Sequence, residues 1–486
     1  MNEVKFFFNQ TGGERIPLEM HKAKMVQRLH LLPVDERQAA IENAGFNTFL
    51  LKNRDVFLDM LTDSGVNAMS DEQYAALLRA DDSYAGSETF YRLEAELSKM
   101  FGKKYFLPAH QGRACEHILA KTLVKPGQAV IMNFHFTTTK AHITLLGGKV
   151  IELLTDEGLK VESDIAFKGD MDIEKLKSTV QALGKENIAF IRVEAGTNLI
   201  GGQPVSVKNM REVSQICKAN GITSVFDASL LSDNLYFIKT REQGYENTEI
   251  SDITREIASL FDIVYFSARK LGCVRGGGIL TSNDELHIAM RELVTLYEGF
   301  LTYGGMSVKE MEALAVGLRE ALDFNVIEQT PIFVEALTNE LRKFGVPTVL
   351  PAGGLGCHID AKRFLEHIPQ SEYPAGALAA AIYLVGGIRG MERGTLSEQR
   401  NDDGSEHFAE MELVRLALPK RVFTLSHIKF VADRVAWLYR NRHLIGGLEF
   451  VDEPSILRFF FGRLRAKNDW HIRLAEAFKR DFGESL

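Results

Sequence analysis

Between about residue 110 and residue 290, short apolar runs alternate with longer amphipathic segments. The runs are AVIMNF (129–134), KVIELL (149–154), NIAFIRVE (187–194), GITSVFDA (221–228), DIVYFSARK (262–270) and GGGILTS (276–282). Strands that are apolar at nearly every position are typical of a parallel sheet covered by helices on both faces. The pattern therefore predicts an α/β fold with a central, mostly parallel sheet.

The two ends of the chain follow a different pattern, with more helix-like and charged segments and strand-like patches at VPTVLPA and GCHIDA. No repeat, low-complexity tract or linker separates the ends from the middle. We therefore expect a smaller α+β domain built from both chain ends. Residues 1–60 would form an N-terminal arm and part of this small domain, 61–320 the large domain, and 321–486 the remainder with a basic helical tail.

Composition narrows the function class. The 486 residues are 45% hydrophobic and 25% charged, with a net charge of −8, which argues against nucleic acid and anionic membranes as partners. The longest apolar stretch, residues 376–388, is too short for a bilayer and predicts a buried helix. The N-terminus lacks a secretory pattern, and four scattered cysteines form no CxxC pair, so we expect a reducing cytoplasm. The histidines show no metal-binding spacing.

Two polar residues stand at the ends of predicted strands. Asp227 ends the strand in TSVFDAS, and Lys270 follows the strand DIVYFSA. The carboxyl ends of strands in an α/β sheet face a crevice that binds ligands. A lysine can hold the aldehyde of pyridoxal phosphate, and an anion can keep its ring nitrogen protonated. The pair indicates that cofactor, although an aspartate there is also a common helix cap and such a lysine is commonly solvated.

Three further features favour a phosphate-bearing cofactor. Gln111, Gly112 and Arg113 open a helical stretch after the run KYFLP, and a helix N-terminus with an arginine can hold a phosphate. Ser267 could add a hydroxyl, and Phe136 could stack on the pyridine ring. Simpler interpretations remain, namely a strand-to-helix turn for the first feature and core packing for the aromatic ring.

A series of motifs runs in order from about residue 10 to residue 465. They are LTDSGVNAMSDEQ (61–73), DDSYAGSETFYRLE (81–94), PAHQGRACE (108–116), FTTTKAH (136–142), TNLIGGQPVS (197–206), FDASLLSDNLYFIK (226–239), LYEGFLTYGG (296–305), IRGMERG (388–394), VRLALPKRV (414–422) and EPSILRFF (453–460). On these motifs the chain resembles the tyrosine phenol-lyase and tryptophanase family of pyridoxal-phosphate β-eliminating lyases. The resemblance implies an aspartate-aminotransferase-like fold (type I), activation by potassium or ammonium, and a homotetramer, a dimer of dimers with active sites at the subunit interface.

The resemblance also implies roles for the cofactor site. Lys270 in SARK matches the lysine that binds the cofactor and moves the Cα proton, and Asp227 matches the partner of the pyridine nitrogen. The further cofactor contacts that it implies are Gln111, Gly112, Arg113, Phe136, Asn198 and Ser267.

For the substrate, Tyr84 matches the general acid that protonates the leaving group, helped by Thr137. Arg415 matches the arginine that grips the substrate carboxylate, a bidentate task that suits a guanidinium. Asp82, two residues before Tyr84, matches the acidic residue of the monovalent cation site. The other substrate contacts that the resemblance implies are Thr62, Asn198, Arg393, Phe459 and Phe460.

Few side chains decide the leaving group within this family. Phenol-lyases carry an arginine in a MERG motif and two adjacent phenylalanines, which here are Arg393, Phe459 and Phe460. Tryptophanases have an apolar residue in place of the arginine and a histidine in place of the first phenylalanine. A guanidinium can hold a phenolic oxygen as negative charge develops on it. The motifs therefore predict a phenol-type leaving group.

The chain also departs from the family pattern. Leu230 replaces the arginine that follows the FDAT or YDAT motif and bonds the cofactor's phenolic oxygen. That oxygen would then be held by water, by a donor such as Ser229 or Arg275, or by the aldimine proton alone. Residues 300–301 (Phe-Leu) replace the Met-Pro pair near the substrate ring. These changes leave the natural substrate open.

We expect a cytoplasmic lyase that converts L-tyrosine to phenol, pyruvate and ammonia. One alternative is a family member of altered specificity, acting on tryptophan, cysteine or another β-substituted amino acid. The other alternative, from a different class, is a protein that binds pyridoxal phosphate but has lost turnover.

Overall fold

The apolar runs in the middle of the chain form a seven-stranded sheet. The structure is a computed structural model and describes residues 7–13, 15–401 and 403–485. Over these residues the strands are, in chain order, β1 (Phe7–Asn9), β2 (Arg15–Pro17), β3 (Leu58–Asp59), β4 (Tyr105–Ala109), β5 (Ala129–Met132), β6 (Lys149–Glu152), β7 (Ile188–Glu194), β8 (Ser224–Asp227), β9 (Ile263–Ser267), β10 (Gly277–Thr281), β11 (Gly356–Asp360), β12 (Ile388–Arg389), β13 (Met391–Arg393), β14 (Leu413–Ala417), β15 (Leu448–Asp452) and β16 (Arg463–Ala466).

Helices occupy most of the chain between the strands. In the same described ranges the α-helices are α1 (Val34–Asn43), α2 (Asp71–Leu77), α3 (Glu88–Phe101), α4 (Gly112–Leu123), α5 (Thr137–Leu145), α6 (Ile173–Leu183), α7 (Val207–Asn220), α8 (Leu231–Arg241), α9 (Ile250–Leu260), α10 (Ala268–Leu271), α11 (Asp284–Tyr297), α12 (Val308–Glu320), α13 (Phe324–Ile327), α14 (Gln329–Lys343), α15 (Ala361–Phe364), α16 (Pro374–Gly386), α17 (Leu425–Arg440), α18 (Arg458–Phe461) and α19 (Trp470–Phe482). None of these helices combines the length and the apolar character needed to cross a bilayer.

The chain divides into two units. The large unit comprises Ser64–Lys160 and Ile165–Gln329. The small unit comprises the residues up to Asp63, Val161–Asp164 and the residues from Thr330 onward. The small unit is therefore assembled from both ends of the chain and a four-residue segment from its middle.

The central sheet belongs to the large unit. Its strand order is β4-β10-β9-β8-β7-β5-β6, and β10 is antiparallel to both of its neighbours while the other pairs are parallel. Each of the six apolar runs in the middle of the chain contains one strand, and the run KYFLP supplies β4. The predicted α/β fold with a mostly parallel sheet is confirmed.

Both faces of this sheet are buried, which explains why its strands are apolar at nearly every position. On β5, Ile131 packs in one hydrophobic cluster while Val130 and Met132 pack in another. On β9, Val264 and Ile263 are divided between the same two clusters. Alternate side chains thus enter cores on opposite faces, as the pleat of a strand requires.

The small unit is built around α16, whose side chains are all buried, as the apolar stretch in the sequence predicts. A three-stranded antiparallel sheet in the order β11-β14-β13 packs in the same unit. The patch GCHIDA forms β11, but VPTVLPA is not a strand and makes only isolated bridges at Thr348 and Leu350. The expectation of a strand there is wrong, because Pro347 and Pro351 have no N–H to donate to a ladder.

Candidate active site

The predicted cofactor residues Asp227 and Lys270 lie at the same edge of the central sheet. Asp227 is the last residue of β8, and Lys270 lies in α10, which begins directly after β9. The two strands are adjacent and parallel, with Asp227 opposite Tyr265 in the register. The sheet therefore brings the aspartate and the lysine to the strand ends where such sheets bind ligands.

The Asp227 carboxylate is buried and held by three donors. Its Oδ2 accepts hydrogen bonds from the Arg192 guanidinium at 2.6 Å and from the Tyr265 hydroxyl at 2.8 Å. Its Oδ1 accepts one from the backbone N–H of Ser229 at 2.9 Å. These hydrogen bonds fix the orientation of the carboxylate. Oδ1 accepts one of them and Oδ2 accepts two.

Arg192 joins Asp227 to a second buried carboxyl group. Its Nη1 lies 3.1 Å from Glu194 Oε2, and its Nε donates to the Tyr265 hydroxyl at 3.0 Å. Burial alone would lower the pKa of Arg192, but the neighbouring Tyr265, Glu194 and Asp227 raise it above its ordinary value. Burial raises the pKa of Glu194 to about 7, with Arg192 acting in the opposite direction. Glu194 Oε1 also accepts from the Asn198 backbone N–H at 3.2 Å, which ties the network to a predicted cofactor contact.

Sequence reasoning missed Arg192, Glu194 and Tyr265. The signal for Arg192 and Glu194 was present in the run IRVE, where charged residues occupy alternate positions of a strand that is otherwise apolar and buried on both faces. Charges in such a strand must be paired with each other or with a ligand. Here they are paired, across β7, β8 and β9.

The predicted phosphate contacts meet at the N-terminus of α4. Gln111 is the N-cap residue and Gly112 is the first helical residue. A Cβ added at Gly112 would lie 2.8 Å from the Cβ of Ser267, so only glycine allows this close approach. The Ser267 backbone N–H donates to Ser229 Oγ at 3.1 Å, while Arg113 is exposed to solvent. A helix N-terminus, a hydroxyl and a guanidinium together suit a phosphate dianion.

Phe136 and Thr137 stand at the start of α5. Phe136 is the N-cap residue and is half-buried, which leaves part of its ring available for stacking. The Thr137 hydroxyl is buried and has no hydrogen-bond partner in the described part of the chain. The next two threonines differ, because both donate to the buried carboxylate of Glu116. The donors and the cradle of this edge therefore fit pyridoxal phosphate, with Thr137 still able to bond a ligand.

Leu230 is buried and lies against the loop that precedes Asn198. A Cβ added at Gly196 would lie 2.9 Å from the Leu230 Cβ, and Gly196 has a φ of +63°. Of the two donors expected to replace the family arginine, Ser229 accepts the bond from Ser267, and Arg275 is exposed. Leu230 thus fills space beside Gly196, in the loop that precedes Asn198, and contributes no side-chain donor.

Tyr84, predicted as the general acid, is 73% exposed. Its ring stacks on Phe300 at a centroid distance of 6.0 Å and meets Tyr303 edge-on at 5.3 Å. The hydrogen bond with Tyr303 raises the pKa of Tyr84. Asp82 is also exposed, and the described residues contain no cluster of three His, Cys, Asp or Glu side chains that could hold a metal ion.

In the small unit, Arg415 lies in the middle of a row across three strands. It pairs with His358 of β11 on one side and with Met391 of β13 on the other. Its Nη2 donates to the Leu61 carbonyl at 2.7 Å, beside the half-buried Thr62, and lies 2.8 Å from the Met391 sulfur. Burial lowers the pKa of Arg415 to about 10.

His358 is a buried polar residue that sequence reasoning missed. Its Nδ1 lies 2.9 Å from the Gly356 carbonyl, and its Nε2 has no hydrogen-bond partner among the described residues. Burial, followed by the nearby Arg415, lowers its pKa to about 3, and Arg393 acts in the same direction. The imidazole is therefore neutral, with Nδ1 as the donor and Nε2 as a vacant acceptor.

Arg393 is buried on β13, on the same face of the sheet as Met391. Its neighbour Glu392 has a pKa raised to about 8 by burial and by Glu412. Glu392 and Glu412 each have one buried carboxyl oxygen that lacks a hydrogen-bond partner in the described ranges. Both oxygens face Gly394, where an added Cβ would collide with Glu412.

The aromatic pair of the small unit is tightly packed. The rings of Phe459 and Phe460 lie 4.0 Å apart between centroids, and both meet Phe49 edge-on. The side-chain amide of Asn47 donates to the carbonyls of Phe459 and Gly462 at 2.9 and 2.8 Å. This packing fixes the position of both rings.

Solved structures share this fold. A serine palmitoyltransferase of S. paucimobilis with PLP and myriocin bound has a TM-score of 0.56 at 13% identity, covering 80% of this chain and 89% of the other. A threonine aldolase of Leishmania major has a TM-score of 0.55 at 15% identity, covering 78% and 99%. The fold is therefore fold type I, as in these two enzymes.

The sequence comparisons place the chain within that class. The profile of the β-eliminating lyases matches residues 59–434. A tyrosine phenol-lyase of Fusobacterium nucleatum is 43% identical over 456 residues, 93% of this chain and 99% of the relative. Another, of Pasteurella multocida, is 42% identical over 453 residues, again 93% and 99%. The chain belongs to the β-eliminating lyase family and is a pyridoxal-phosphate-dependent lyase, which confirms the resemblance seen in its motifs.

Proposed function

We propose that the enzyme cleaves L-tyrosine and water to phenol, pyruvate and ammonia. The observation that carries this proposal is the similarity to tyrosine phenol-lyases over nearly the whole chain. Arg393 within MERG and the packed rings of Phe459 and Phe460 support the same leaving group.

In this proposal the large unit holds the cofactor. Lys270 binds its aldehyde, Asp227 Oδ1 faces its ring nitrogen, and Phe136 stacks on its ring. The remaining contacts are assigned to Gln111, Gly112, Arg113, Asn198 and Ser267. When bound, pyridoxal phosphate supplies an electron sink that makes the Cα–H of an amino acid acidic.

The substrate carboxylate is assigned to Arg415. Its guanidinium is buried, and burial lowers its pKa, with Asp63 acting in the opposite direction. A substrate carboxylate would offer this guanidinium a bidentate anionic partner. Thr62 follows the Leu61 carbonyl bound by Arg415 and is assigned to the same end of the substrate, together with Asn198.

Two proton transfers are assigned to this chain's residues. The Lys270 amine takes the proton from Cα and later returns one to the product side. Tyr84 delivers a proton to the ring carbon that leaves, helped by the buried Thr137 hydroxyl. Arg393 is assigned to the phenolic oxygen of the leaving group. The guanidinium stabilises the charge that develops on that oxygen.

A second candidate function is β-elimination from an amino acid with a different side chain. Two observations favour it, namely Leu230 beside the loop that precedes Asn198 and the vacant Nε2 acceptor of His358 near Arg393 and Arg415. An acceptor in that position suits a substrate with an additional N–H or O–H donor.

We also propose a homotetramer, a dimer of dimers with the active site at a subunit interface, in the cytoplasm. The 73% exposure of Tyr84 in a single chain supports a site completed by a second chain. The four cysteines are all free, as a reducing compartment requires. A potassium or ammonium ion would bind near Asp82 in this assembly.

Pyruvate release tests the proposal. The purified enzyme, loaded with pyridoxal phosphate, is assayed on L-tyrosine, 3,4-dihydroxyphenylalanine, L-tryptophan, S-methyl-L-cysteine and L-serine. We expect the highest kcat/KM on L-tyrosine. A higher value on the dihydroxy compound or on another member of the panel would favour the second candidate, and no pyruvate from any of them would contradict both.

A further inference from the structure

Asp227, which is assigned to the cofactor's ring nitrogen, is already bound to a permanent cation. Arg192 and the Tyr265 hydroxyl occupy its Oδ2, at 2.6 and 2.8 Å. Oδ1 accepts only the Ser229 N–H among the described residues, at 2.9 Å. A carboxylate oxygen has room for a second donor, so Oδ1 is the oxygen available to a ring N–H.

Arg192 cannot turn away from this carboxylate. It is 1% exposed, and its guanidinium is also held by Glu194 and by Tyr265. Arg192, Asp227 and Tyr265 lie on the neighbouring strands β7, β8 and β9, whose register fixes their spacing. The cation therefore stays at Asp227 whether or not a cofactor is bound.

We propose that Arg192 is a positioning residue that turns Oδ1 of Asp227 toward the cofactor's ring nitrogen and lowers the proton affinity of that nitrogen. The proposal rests on the cofactor assignment made above. A guanidinium on one carboxylate oxygen neutralises part of the charge that the other oxygen would offer to a pyridinium. The fixed cation also repels a positive ring directly, and in a buried site this repulsion is weakly screened.

Glu194 opposes this effect from the far side of Arg192. Its carboxyl group offsets part of the guanidinium charge when it is ionised, and burial raises its pKa to about 7. Glu116, the other buried carboxyl group of this edge, acts on Arg192 in the same direction. Tyr265 contributes a hydrogen bond to the same Asp227 oxygen without a charge, which makes it the matched control for Arg192.

The test measures the protonation of the ring nitrogen itself. The enzyme is loaded with pyridoxal phosphate labelled with ¹⁵N in the ring, and the ¹⁵N chemical shift is followed against pH. In Arg192→Gln we expect the midpoint of this titration to rise by about one pH unit or more, a tenfold gain in proton affinity. Arg192→Lys, which keeps the cation, should stay near wild type, and Tyr265→Phe should shift the midpoint by less than Arg192→Gln does.

Arg192→Gln leaves two buried carboxyl groups without their cation, so a double variant guards against misfolding. Arg192→Gln/Glu194→Gln removes both charges and should also shift the midpoint upward, by no more than Arg192→Gln does. A midpoint equal to wild type in whichever of these variants folds would overturn the proposal. A wild type that does not bind the labelled cofactor would instead contradict the proposed function, so the two failures are distinct.

Discussion

Each unit buries an arginine at its candidate site, and the two arginines differ in what surrounds them. Arg192 and Arg415 are both 1% exposed. Arg192 contacts two carboxyl groups, and its pKa rises above the ordinary value despite burial. Burial lowers the pKa of Arg415 to about 10, although Asp63 acts in the opposite direction.

This difference separates two uses of a buried cation. In the large unit the protein supplies the counter-ions, so Arg192 belongs to a structure that is complete before any ligand binds. In the small unit, burial lowers the pKa of Arg415 more than Asp63 raises it, so the buried cation is held at a cost. An anionic ligand would remove that cost, which is the physical basis for assigning the substrate carboxylate to Arg415.

The largest expected effect is on stability in the large unit. Arg192→Leu should destabilise the holoenzyme by about 3–5 kcal/mol, because it leaves Asp227 and Glu194 buried without a cation. Denaturant unfolding measures this change. Arg54→Leu is the control, since Arg54 is exposed and its pair with Asp55 should contribute less than about 1 kcal/mol. Equal losses of stability in the two variants would contradict the prediction that the buried Arg192 network stabilises the fold more than an exposed ion pair does.

Arg393→Ala should change activity according to the leaving group. On L-tyrosine we expect a loss of about 2–4 kcal/mol in kcat/KM, the usual scale for removing a group that stabilises developing charge. On S-methyl-L-cysteine, which has no phenolic oxygen, the loss should be much smaller. Steady-state pyruvate assays on both substrates decide this, and equal losses would mean that Arg393 is structural.

Arg415→Leu tests the other half of the comparison. We expect kcat/KM to fall by about 2–3 kcal/mol, the scale of a charge-assisted hydrogen bond, mainly through KM. The free energy of unfolding should fall by less than in Arg192→Leu, because burial disfavours the Arg415 cation whereas Arg192 is stabilised by two carboxyl groups. Arg415→Lys serves as the conservative control for activity. A stability loss as large as that of Arg192→Leu would contradict the comparison.

The smallest expected effect is the pH dependence caused by His358. Its pKa is about 3 in the folded chain and 6.5 when unperturbed, so the unfolded state binds more protons between these values. Its contribution to stability is therefore full above pH 6.5 and falls as the pH drops toward 3. His358→Phe should reduce the loss of stability between pH 7 and pH 5 by about 2 kcal/mol, since one pH unit corresponds to about 1.4 kcal/mol. Denaturant unfolding at both pH values measures it, and the exposed His443→Phe should leave the loss unchanged.

The sequence predicted those features of the fold and the site that depend on one continuous stretch of residues. Apolar runs predicted the central strands, and the residues ending two of these runs, Asp227 and Lys270, lie at one sheet edge because parallel strands share that edge. The Arg192 network was not predictable in this way. Its members lie on β7, β8 and β9, and their contacts depend on strand order and register.

In the small unit, too, the contacts that depend on strand register could not be predicted from the sequence. His358 and Arg415 are direct partners across β11 and β14, but nothing in the separate motifs GCHIDA and VRLALP fixes that register. A histidine in an apolar strand is also common as a satisfied core residue. Its relation to two arginines emerges only when the three strands are assembled.

The way the small unit is assembled from both chain ends has a consequence for synthesis on the ribosome. Strand β3 (Leu58–Asp59) pairs with β12 (Ile388–Arg389), and the Asp59 carboxylate is bound by Arg389, 330 residues later. At about 5–20 residues per second, β3 waits roughly 15 to 65 seconds for this partner to be translated. During that time the large unit can fold, while the apolar N-terminal part of the small unit is available to chaperones.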